Sequence, residues 1–495
     1  MPDFFTSCEV RAKKGLQMII VLFHPRGYVC NPSQPHISSL ACVMPPIGLA
    51  SIAAVLRKAG HEVTIIDGAL HASITNQEWT KKICSLKPDM VGFTATTSAF
   101  QDAYDVCSRV KAVRPECKTV FGGVHVSWGK GELLVQFKSI DYIVVGEGEL
   151  VFRALAEGDH PSSMDRVYYR DGKKILNGTA PTPLVQLDEL PFPAYDLLKG
   201  FPTKYLMPLF GYPRHPGANI ISSRGCVYQC SYCDRSVFGK GFRWNSPEYT
   251  FQQMLWLKRD FGVKHVNFYD DLFTLNRERV AELCNRIASS KLSMSFNCIV
   301  RIGHIDKELI ALLKRGGCWM VSVGIESGDQ SLLDSHKDGL SLETIRHDIQ
   351  RLHDAGIWVK GLFMMGFPGE TEESIIRTRK FALSLPLKDA NITAFTPFPG
   401  APISAGIEKL GTFENNWTRM DCVNFIFVSK EIKSIKLLQK HYAAFYQEFY
   451  NRPFMRRQVY PKMLLQSSHS FYRLLKHSTE FTQFTKSLNS SASSK

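Results

Sequence analysis

The sequence contains no long apolar run, and each of its apolar stretches falls short of the ~20 residues that a membrane-spanning helix requires. Its N-terminus also lacks the basic, apolar and small-residue parts of a secretory signal, so we expect a cytoplasmic protein. Thirteen cysteines among 495 residues are too few for a secreted disulfide scaffold, and an odd number cannot all pair. We therefore expect mostly reduced, buried thiols, with a few recruited as ligands.

Acidic residues are scarcer than basic ones, and the formal net charge is +14. This charge permits an acidic partner such as nucleic acid, anionic lipid or a phosphorylated cofactor; a solvated basic surface is the alternative. Much of the excess of basic over acidic residues lies after residue 428, where the chain has twelve Lys or Arg and three Asp or Glu. Hydrophobic residues make up 44% of the chain and charged residues 21%, which indicates a folded protein. At this length we expect two domains plus extensions.

Short apolar strands alternate with helices in the first third of the chain. Alternation of this kind predicts a parallel sheet covered on both faces, as in a doubly wound α/β domain. We assign this Rossmann-like domain to residues 17–155, after an extension of residues 1–16. Its predicted strands cover residues 18–23, 62–66, 90–94, 119–121 and 142–145, and its predicted helices cover residues 47–58, 79–86 and 104–113.

A proline-rich segment, residues 156–217, separates this domain from a second β/α series. The second series, residues 218–428, predicts a partial (β/α)6 barrel with its active site at the carboxyl ends of the strands. Residues 429–495 form a basic extension, in which residues 430–450 predict one amphipathic helix and the Ser-rich residues 487–494 predict disorder. The six barrel strands are expected near residues 219–222, 266–269, 295–300, 320–325, 359–364 and 391–395.

Three cysteines follow the first barrel strand in the segment Arg224-Gly225-Cys226-Val227-Tyr228-Gln229-Cys230-Ser231-Tyr232-Cys233. Thiolates at this CxxxCxxC spacing suit one cubane iron–sulfur cluster and leave one iron open to a substrate or cofactor. A zinc site would need a fourth ligand nearby, and His215 lacks a paired spacing to the loop. Buried thiols without a ligand role are the other alternative.

With Tyr232 directly before the last cysteine, this segment resembles the signature of the radical S-adenosylmethionine superfamily, and the resemblance covers residues 218–402. It implies a 4Fe-4S cluster on Cys226, Cys230 and Cys233. It also implies that the open iron binds the amino and carboxylate groups of S-adenosylmethionine, whose reductive cleavage yields methionine and a 5′-deoxyadenosyl radical.

Further segments after the predicted strands agree with this resemblance: Tyr269-Asp270-Asp271, Arg301, the run 324–328 and the run 366–370. The acidic residues are expected on the ammonium or ribose hydroxyls of the cofactor, and Arg301 on its carboxylate. Tyr-Asp-Asp stands where many members have Gly-Gly-Glu, so the amine ligand is left open, and ordinary loop roles are the alternative. The expected cofactor-binding residues are Tyr232, Asp270, Asp271, Arg301, Glu326, Ser327 and Gly328.

The first domain carries hydroxyl- and glycine-rich turns after its strands, where a doubly wound sheet binds ligands. The domain resembles the cobalamin-binding domain fused before many radical S-adenosylmethionine proteins. Asp67 and His71 lack the DxHxxG spacing, so base-off cobalamin without a protein imidazole ligand is implied. A Rossmann-like domain that only packs and dimerises is the alternative, and the missing GxGxxG disfavours a nicotinamide site. The resemblance implies a slot for the nucleotide tail lined by Thr94, Thr96, Thr97, Ser98, Gly122, Gly123, Gly146 and Glu147.

The order of motifs, including residues 187–191 and 398–402, resembles the branch that contains anaerobic magnesium-protoporphyrin cyclase, phosphinate P-methylases and hopanoid methylases. The resemblance implies methyl transfer to an unactivated carbon or phosphorus of a small molecule or lipid. A radical oxidative cyclase without net methylation is the alternative, and a cofactor-sensing binding protein belongs to a different class. A tRNA methylthiotransferase is disfavoured because the first domain offers no second cluster-forming set of cysteines.

Partner expectations follow from the same resemblance and from the basic tail. Reduction of the cluster implies an electron donor such as flavodoxin or ferredoxin, and no nucleic acid is expected. The C-terminal segment either contacts a lipid surface or packs as a helical cap on the barrel. Its aromatic and basic residues are Phe454, Arg456, Arg457, Phe471 and Arg473.

Overall fold

The structure is a computed structural model that describes residues 17–27, 43–71, 73–182, 184, 186–211, 213–337, 339–466 and 468–476. The expected N-terminal extension, residues 1–16, and the expected disordered end, residues 487–494, lie outside the described residues.

The described part of the first domain has one seven-stranded sheet and five α-helices. Its elements are β1 (Ile19–His24), α1 (Ile47–Lys58), β2 (Glu62–Asp67), α2 (Asn76–Ser85), β3 (Met90–Thr94), α3 (Phe100–Val113), β4 (Lys118–Gly122), α4 (Val124–Gln136), β5 (Tyr142–Val144), α5 (Glu149–Ala156), β6 (Val167–Asp171) and β7 (Lys174–Asn177). The strand order is β2-β1-β3-β4-β5-β6-β7, with β1 to β5 parallel, which confirms the predicted doubly wound domain. Ligand-binding turns are therefore expected where the strand order reverses, beyond the carboxyl ends of β1 and β3.

The first sheet extends past the predicted domain end at residue 155. β6 and β7 form an antiparallel hairpin on the edge next to β5, so the linker assigned to residues 156–217 contains part of the sheet. The two strands are only half buried, and their alternating polar residues differ from the continuous apolar runs of the parallel strands. The proline-rich part of the segment begins only after this hairpin.

The second domain is built on six parallel strands that curl into a partial barrel, as predicted. Its elements are β8 (Gly217–Ile220), β9 (Ser223–Arg224), β10 (Arg243–Trp244), α6 (Pro247–Phe261), β11 (His265–Phe268), α7 (Arg277–Ser289), β12 (Ser295–Val300), α8 (Lys307–Arg315), β13 (Cys318–Glu326), α9 (Gln330–His336), α10 (Leu342–Asp354), β14 (Trp358–Met365), α11 (Glu372–Ser384), β15 (Asp389–Ala394), β16 (Gly411–Phe413), β17 (Phe427–Ser429), α12 (Ile435–Asn451), α13 (Tyr460–Gln466) and α14 (Ser468–Lys476). The strand order β15-β14-β13-β12-β11-β8 brings the loops after neighbouring strands together at one end.

The barrel helices start at short polar residues whose side chains accept a backbone N–H of the first turn. This capping satisfies donors that have no partner inside the helix, and it sets where each loop ends. The capping residues are Ser246, Asn276, Asp306, Asp329, Ser341 and Thr371.

The C-terminal helices pack on the barrel, which agrees with the helical-cap alternative. α12 buries Tyr442, Phe445 and Phe449 against the sheet. Arg452 donates to the carbonyl oxygens of Leu383 and Leu385 at the end of α11, at 3.3 and 3.1 Å. On α14 the buried Arg473 donates to the Met207 carbonyl oxygen at 2.8 Å. Within the described part of the chain, no helix is both long and apolar enough to cross a membrane.

Candidate cofactor site

The loop that carries the three cysteines begins at a tight glycine turn. After β9 pairs with β10, Gly225 turns the chain at a φ of +90°. A Cβ at Gly225 would lie 2.1 Å from the Gly241 carbonyl oxygen, so no larger residue fits this turn without displacement. The Gly225 N–H donates to Asp271 Oδ2 at 3.0 Å. Because β8 and β11 pair in parallel with Asn219 opposite Asn267, the segments that follow them start side by side.

The thiols of the cysteine loop (residues 226–233) lie close together. Cys230 and Cys233 share a hydrogen bond, which together with the charge of Lys337 lowers the pKa of the Cys230 thiol. Among the described residues, no three His, Cys, Asp or Glu side chains converge around a single ion. A cubane does not require this convergence because each cysteine binds a different iron atom. The loop therefore fits an iron–sulfur cluster better than the zinc alternative.

Contacts with the end of α9 and with the loop after β14 hold the middle of the cysteine loop. The Ser231 N–H donates to the His336 carbonyl oxygen at 3.2 Å, and its hydroxyl lies 3.0 Å from His336 Nδ1. His336 Nε2 in turn lies 3.1 Å from the Pro368 carbonyl oxygen. Tyr232 packs edge-on against Phe367, with ring centroids 5.6 Å apart. Tyr232 thus stabilises the cysteine loop through packing.

Arg301 lies directly beside the cysteine loop. Its guanidinium carbon is 3.5 Å from the centroid of the Tyr228 ring, a cation–π distance. The Tyr228 hydroxyl lies 2.7 Å from His304 Nε2. Burial lowers the pKa of His304, so the neutral ring can accept this hydrogen bond. The stack orients Arg301 at the rim of the cysteine loop. The sequence predicts that Arg301 binds the carboxylate of S-adenosylmethionine.

The two aspartates after β11 differ in their surroundings. Asp270 is fully buried and accepts from the Ser222 N–H at 2.6 Å, the Ser222 hydroxyl at 2.7 Å and the Ser223 hydroxyl at 2.7 Å. Its carboxylate also lies 3.5 Å from the guanidinium of Arg279. The Asp270 oxygens are thus engaged in stabilising the β8–β9 corner, and the cofactor role of Asp270 stays a prediction. Asp271 is exposed beside the cysteine loop.

Glu326 ends β13 at a bulge and has a φ of +63°. Lys337 donates to Glu326 Oε1 at 2.8 Å and to the Gly324 carbonyl oxygen at 2.7 Å. The same carboxylate and burial raise the pKa of Tyr232. Glu326, Tyr232 and Lys337 therefore lie near Cys230.

Ser327 and Gly328 turn away from the cysteine loop. The Ser327 hydroxyl lies 3.0 Å from Thr378 Oγ1, and the Gly328 N–H donates to the same atom at 2.9 Å. A Cβ at Gly328 would lie 2.7 Å from Phe381 Cβ, so the glycine permits close packing against α11. These residues pack α11 against the end of β13, and their cofactor contacts stay a prediction.

A cleft lies between the two domains. Its first-domain wall includes the predicted residues Thr94, Gly122, Gly123, Gly146 and Glu147. No atom lies within 4 Å of where a Cβ at Gly122 would stand, so open space begins directly at this backbone. The other wall comes from both flanks of the cysteine loop, Arg224 before it and Val237 and Phe238 after it. Glycine turns with open space at the backbone suit the close approach of a large cofactor with a nucleotide tail.

Three predicted residues of the first domain do not line this cleft. Thr97 is buried, and the hydroxyls of Thr96 and Ser98 lie 3.4 Å apart on the exposed turn before α3. Glu147 lines the cleft, but its carboxylate is bonded to Arg224, at 2.5 Å, and to Arg243. The Glu147 carboxylate therefore makes a contact between the domains, and its role in holding the nucleotide tail stays a prediction.

Several site residues carry no clear local signal in the sequence. His304, His336 and Lys337 follow strands or helices at ordinary spacing, and their contacts with the cysteine loop come from other parts of the chain. Arg224 and Glu149 had a weak signal, since they neighbour residues that the motifs singled out.

Glu370 is a fully buried carboxyl in the loop after β14. It accepts from the backbone N–H groups of Gly366 and Phe367. Burial raises its pKa from an ordinary value of 4.5 to about 8, so the carboxyl is protonated at neutral pH.

We expect this carboxyl to make stability depend on pH. A raised folded-state pKa contributes stability that is complete below pH 4.5 and is lost as the pH rises to about 8, at roughly 1.4 kcal/mol per pH unit. Glu370→Gln keeps an uncharged acceptor and should flatten this decline in urea unfolding between pH 5 and 9. Glu373→Gln, at an exposed position of α11, is the control; an equally flat profile there, or an unchanged one in Glu370→Gln, would contradict the assignment.

The fold and the site together define a class of protein: an α/β domain whose backbone-lined cleft faces a partial barrel with three clustered cysteines. Residues 35–156 match the B12 binding domain family, and residues 220–382 match the Radical SAM superfamily. An uncharacterized methyltransferase of Pyrococcus horikoshii is 34% identical over 414 residues, which cover 81% of this chain and 88% of the relative. The anaerobic magnesium-protoporphyrin IX monomethyl ester cyclase of Rubrivivax gelatinosus is 26% identical, over 83% of this chain and 75% of the relative.

The crystal structure of the cobalamin-dependent S-adenosylmethionine radical enzyme OxsB with aqua-cobalamin and S-adenosylmethionine bound has the same fold. It superposes with a TM-score of 0.69 at 15% identity, over 93% of this chain and 72% of OxsB. The chain belongs to the cobalamin-binding radical S-adenosylmethionine enzymes. This confirms the predicted family and its cofactors: cobalamin, S-adenosylmethionine and a 4Fe-4S cluster.

Proposed function

We propose that the chain transfers a methyl group from S-adenosylmethionine to an unactivated carbon or phosphorus of a small molecule or lipid. The observation that carries this proposal is the position of the cleft, because its wall contains residues from both flanks of the cysteine loop. Methyl carriage and radical formation would then occur in adjoining spaces. The 34% identical relative named as a methyltransferase supports the same reaction.

When bound, the cofactors supply reductive cleavage of S-adenosylmethionine and methyl carriage, and the protein positions and shields them. We assign Cys226, Cys230 and Cys233 to the cluster. We assign Arg301, oriented by its stack on Tyr228, to the S-adenosylmethionine carboxylate. We assign the ammonium group of S-adenosylmethionine to either Asp271 or Glu326, whose carboxylates lie beside the cysteine loop. The cleft residues Thr94, Gly122, Gly123 and Gly146 are assigned to the cobalamin tail.

An apolar group behind the cysteine loop excludes water from this region. Phe367, Phe395 and Phe427 are buried together, and Tyr232 packs against them. Water exclusion protects a reactive radical from side reactions, so this packing fits radical chemistry. A low-potential donor such as flavodoxin or ferredoxin is the proposed source of electrons.

The proposal is tested on protein reconstituted without oxygen with iron, sulfide and hydroxocobalamin, then reduced in the presence of S-adenosylmethionine. Methylation predicts S-adenosylhomocysteine and 5′-deoxyadenosine together, with one of each for every methylated product. 5′-Deoxyadenosine without S-adenosylhomocysteine would favour the oxidative cyclase, the activity named for the 26% identical relative. Bound cofactors with no cleavage at all would leave only a sensing role and refute the enzyme proposal.

We further propose that the C-terminal segment contacts an anionic membrane surface. α13 and α14 bury Met463 and Arg473 against the protein, yet Leu464, Leu465 and Tyr472 on their other side are exposed. Residues 449–479 contain six Lys or Arg and no Asp or Glu. An exposed apolar face with basic neighbours suits an anionic lipid surface.

Vesicle flotation tests this contact. We expect the protein to float with vesicles of phosphatidylglycerol and phosphatidylcholine but not with phosphatidylcholine alone, and Leu464→Ser with Leu465→Ser to reduce the floated fraction several-fold. If these substitutions leave the floated fraction unchanged, the lipid contact lies elsewhere on the protein.

A further inference from the structure

Four charged side chains lie at the boundary between the two domains. Arg224 donates to Glu147 Oε2 at 2.5 Å and to Glu149 Oε1 at 2.7 Å. Arg243 donates to the other oxygen of Glu147, and the Ser51 hydroxyl donates to Glu149 Oε1 at 3.0 Å. The side chains of both glutamates are 6% exposed and that of Arg224 is 12% exposed. We call Arg224, Arg243, Glu147 and Glu149 the interdomain ion-pair network.

The network lies between the cysteine loop and the interdomain cleft, the two proposed cofactor sites. Arg224 lies two residues before Cys226, on the short strand that starts the cysteine loop. Glu147 belongs to the turn after β5, in which Gly146, at a φ of +78°, brings the backbone against the Val237 carbonyl oxygen. Arg224, Gly146 and Glu147 all line the interdomain cleft. The network therefore joins the wall of the cleft to the start of the cysteine loop.

Because the network pairs charges from both domains, neither domain can move at this boundary without breaking these ion pairs. Its two cations stand against two anions; Arg224 and both glutamates are largely removed from water, and Arg243 is 27% exposed. Separating them would leave buried charges unpaired, which is far more costly than breaking an exposed pair. The ion pair of Arg57 with Asp196, whose side chains are 39% and 47% exposed, is an exposed counterpart in the same region.

We propose that the interdomain ion-pair network couples the two cofactor sites, so that cobalamin in the cleft restrains the cysteine loop and slows loss of the iron–sulfur cluster. Coupling between two bound groups is reciprocal, so the loaded cluster must also tighten cobalamin binding. In this arrangement Arg224 and Glu147 are positioning residues. The inference rests on the cofactor positions proposed above.

The test measures coupling on the full chain without oxygen. Cluster loss is measured as the rate at which excess iron(II) chelator removes the cluster, with and without hydroxocobalamin. Hydroxocobalamin affinity is measured by absorbance on cluster-loaded and cluster-free protein. For the wild type we expect the ratio of the two loss rates and the ratio of the two affinities each to be about tenfold. Glu147→Gln should bring both ratios close to one while each cofactor still binds.

Asp196→Asn is the control, since it removes one carboxylate charge from an exposed pair and should keep the wild-type ratios. Arg224→Lys tests the geometry separately: a lysine keeps the charge but cannot bridge both glutamates, so both ratios should fall to an intermediate value. Thermal unfolding of each variant shows that it folds.

Ratios of one in the wild type, or wild-type ratios in Glu147→Gln, would overturn the coupling. Failure of hydroxocobalamin to bind the wild type would instead overturn the proposed cofactor position. Methylation with bound cobalamin but ratios of one would leave the proposed function intact and refute only the coupling.

Discussion

Replacing Cys230 with alanine should remove the iron–sulfur cluster and lower 5′-deoxyadenosine formation by at least about a thousandfold, the scale seen when one member of a catalytic unit is deleted. Cys230 is buried, hydrogen-bonded to Cys233 and adjacent to the charge of Lys337. These surroundings favour the thiolate that iron requires.

Iron and sulfide content after anaerobic reconstitution, with the visible absorption of the cluster, measures this loss directly. Cys298→Ala is the matched control because Cys298 is a buried thiol of β12 outside the cysteine loop. Its cluster content should match the wild type. A full cluster in Cys230→Ala, or equal losses in both variants, would refute the assignment of the ligands.

Gly122→Phe should abolish cobalamin binding, with an affinity loss of at least about a hundredfold, while S-adenosylmethionine cleavage to 5′-deoxyadenosine continues. Gly122 lines the interdomain cleft, and a side chain built there meets no atom within 4 Å, so a ring would enter the space instead of straining the backbone. Formation of S-adenosylhomocysteine should cease because methyl carriage requires cobalamin.

Gly122→Ala is the control for this experiment. A methyl group at this position meets no atom within 4 Å, so the alanine variant should bind hydroxocobalamin nearly as well as the wild type. Absorbance titration with hydroxocobalamin measures both affinities. Tight binding to Gly122→Phe would place cobalamin elsewhere.

Regular β/α alternation made much of the fold predictable. The predicted helix at residues 47–58 and the predicted strands at 90–94 and 295–300 match α1, β3 and β12. α4 was missed because Gly129 and Gly131 weaken its helical pattern, and the helix is interrupted at Lys130. The hairpin of β6 and β7 was missed because edge strands alternate polar and apolar residues and lack a buried apolar run.

Predictability was lower for the polar side chains of the site. Asp270 and Asp271 are adjacent in the sequence and equally acidic, yet only Asp271 remains exposed beside the cysteine loop. The difference arises from Ser222, Ser223 and Arg279, which surround Asp270. Glu147 likewise occupies the predicted turn, but Arg224 and Arg243 of the second domain engage its carboxylate.

The sequence by itself determined the chemistry of the cysteine loop, most of the order of strands and helices, and the family to which the chain belongs. These properties reside in local spacing: three thiols within eight residues, and apolar periods that a short window contains. The tertiary structure decided which carboxylates remain available, how Arg301 is oriented, and how Arg224 joins the two domains. Those outcomes depend on partners that are distant in the chain and meet only when the sheets pack, so no local pattern encodes them.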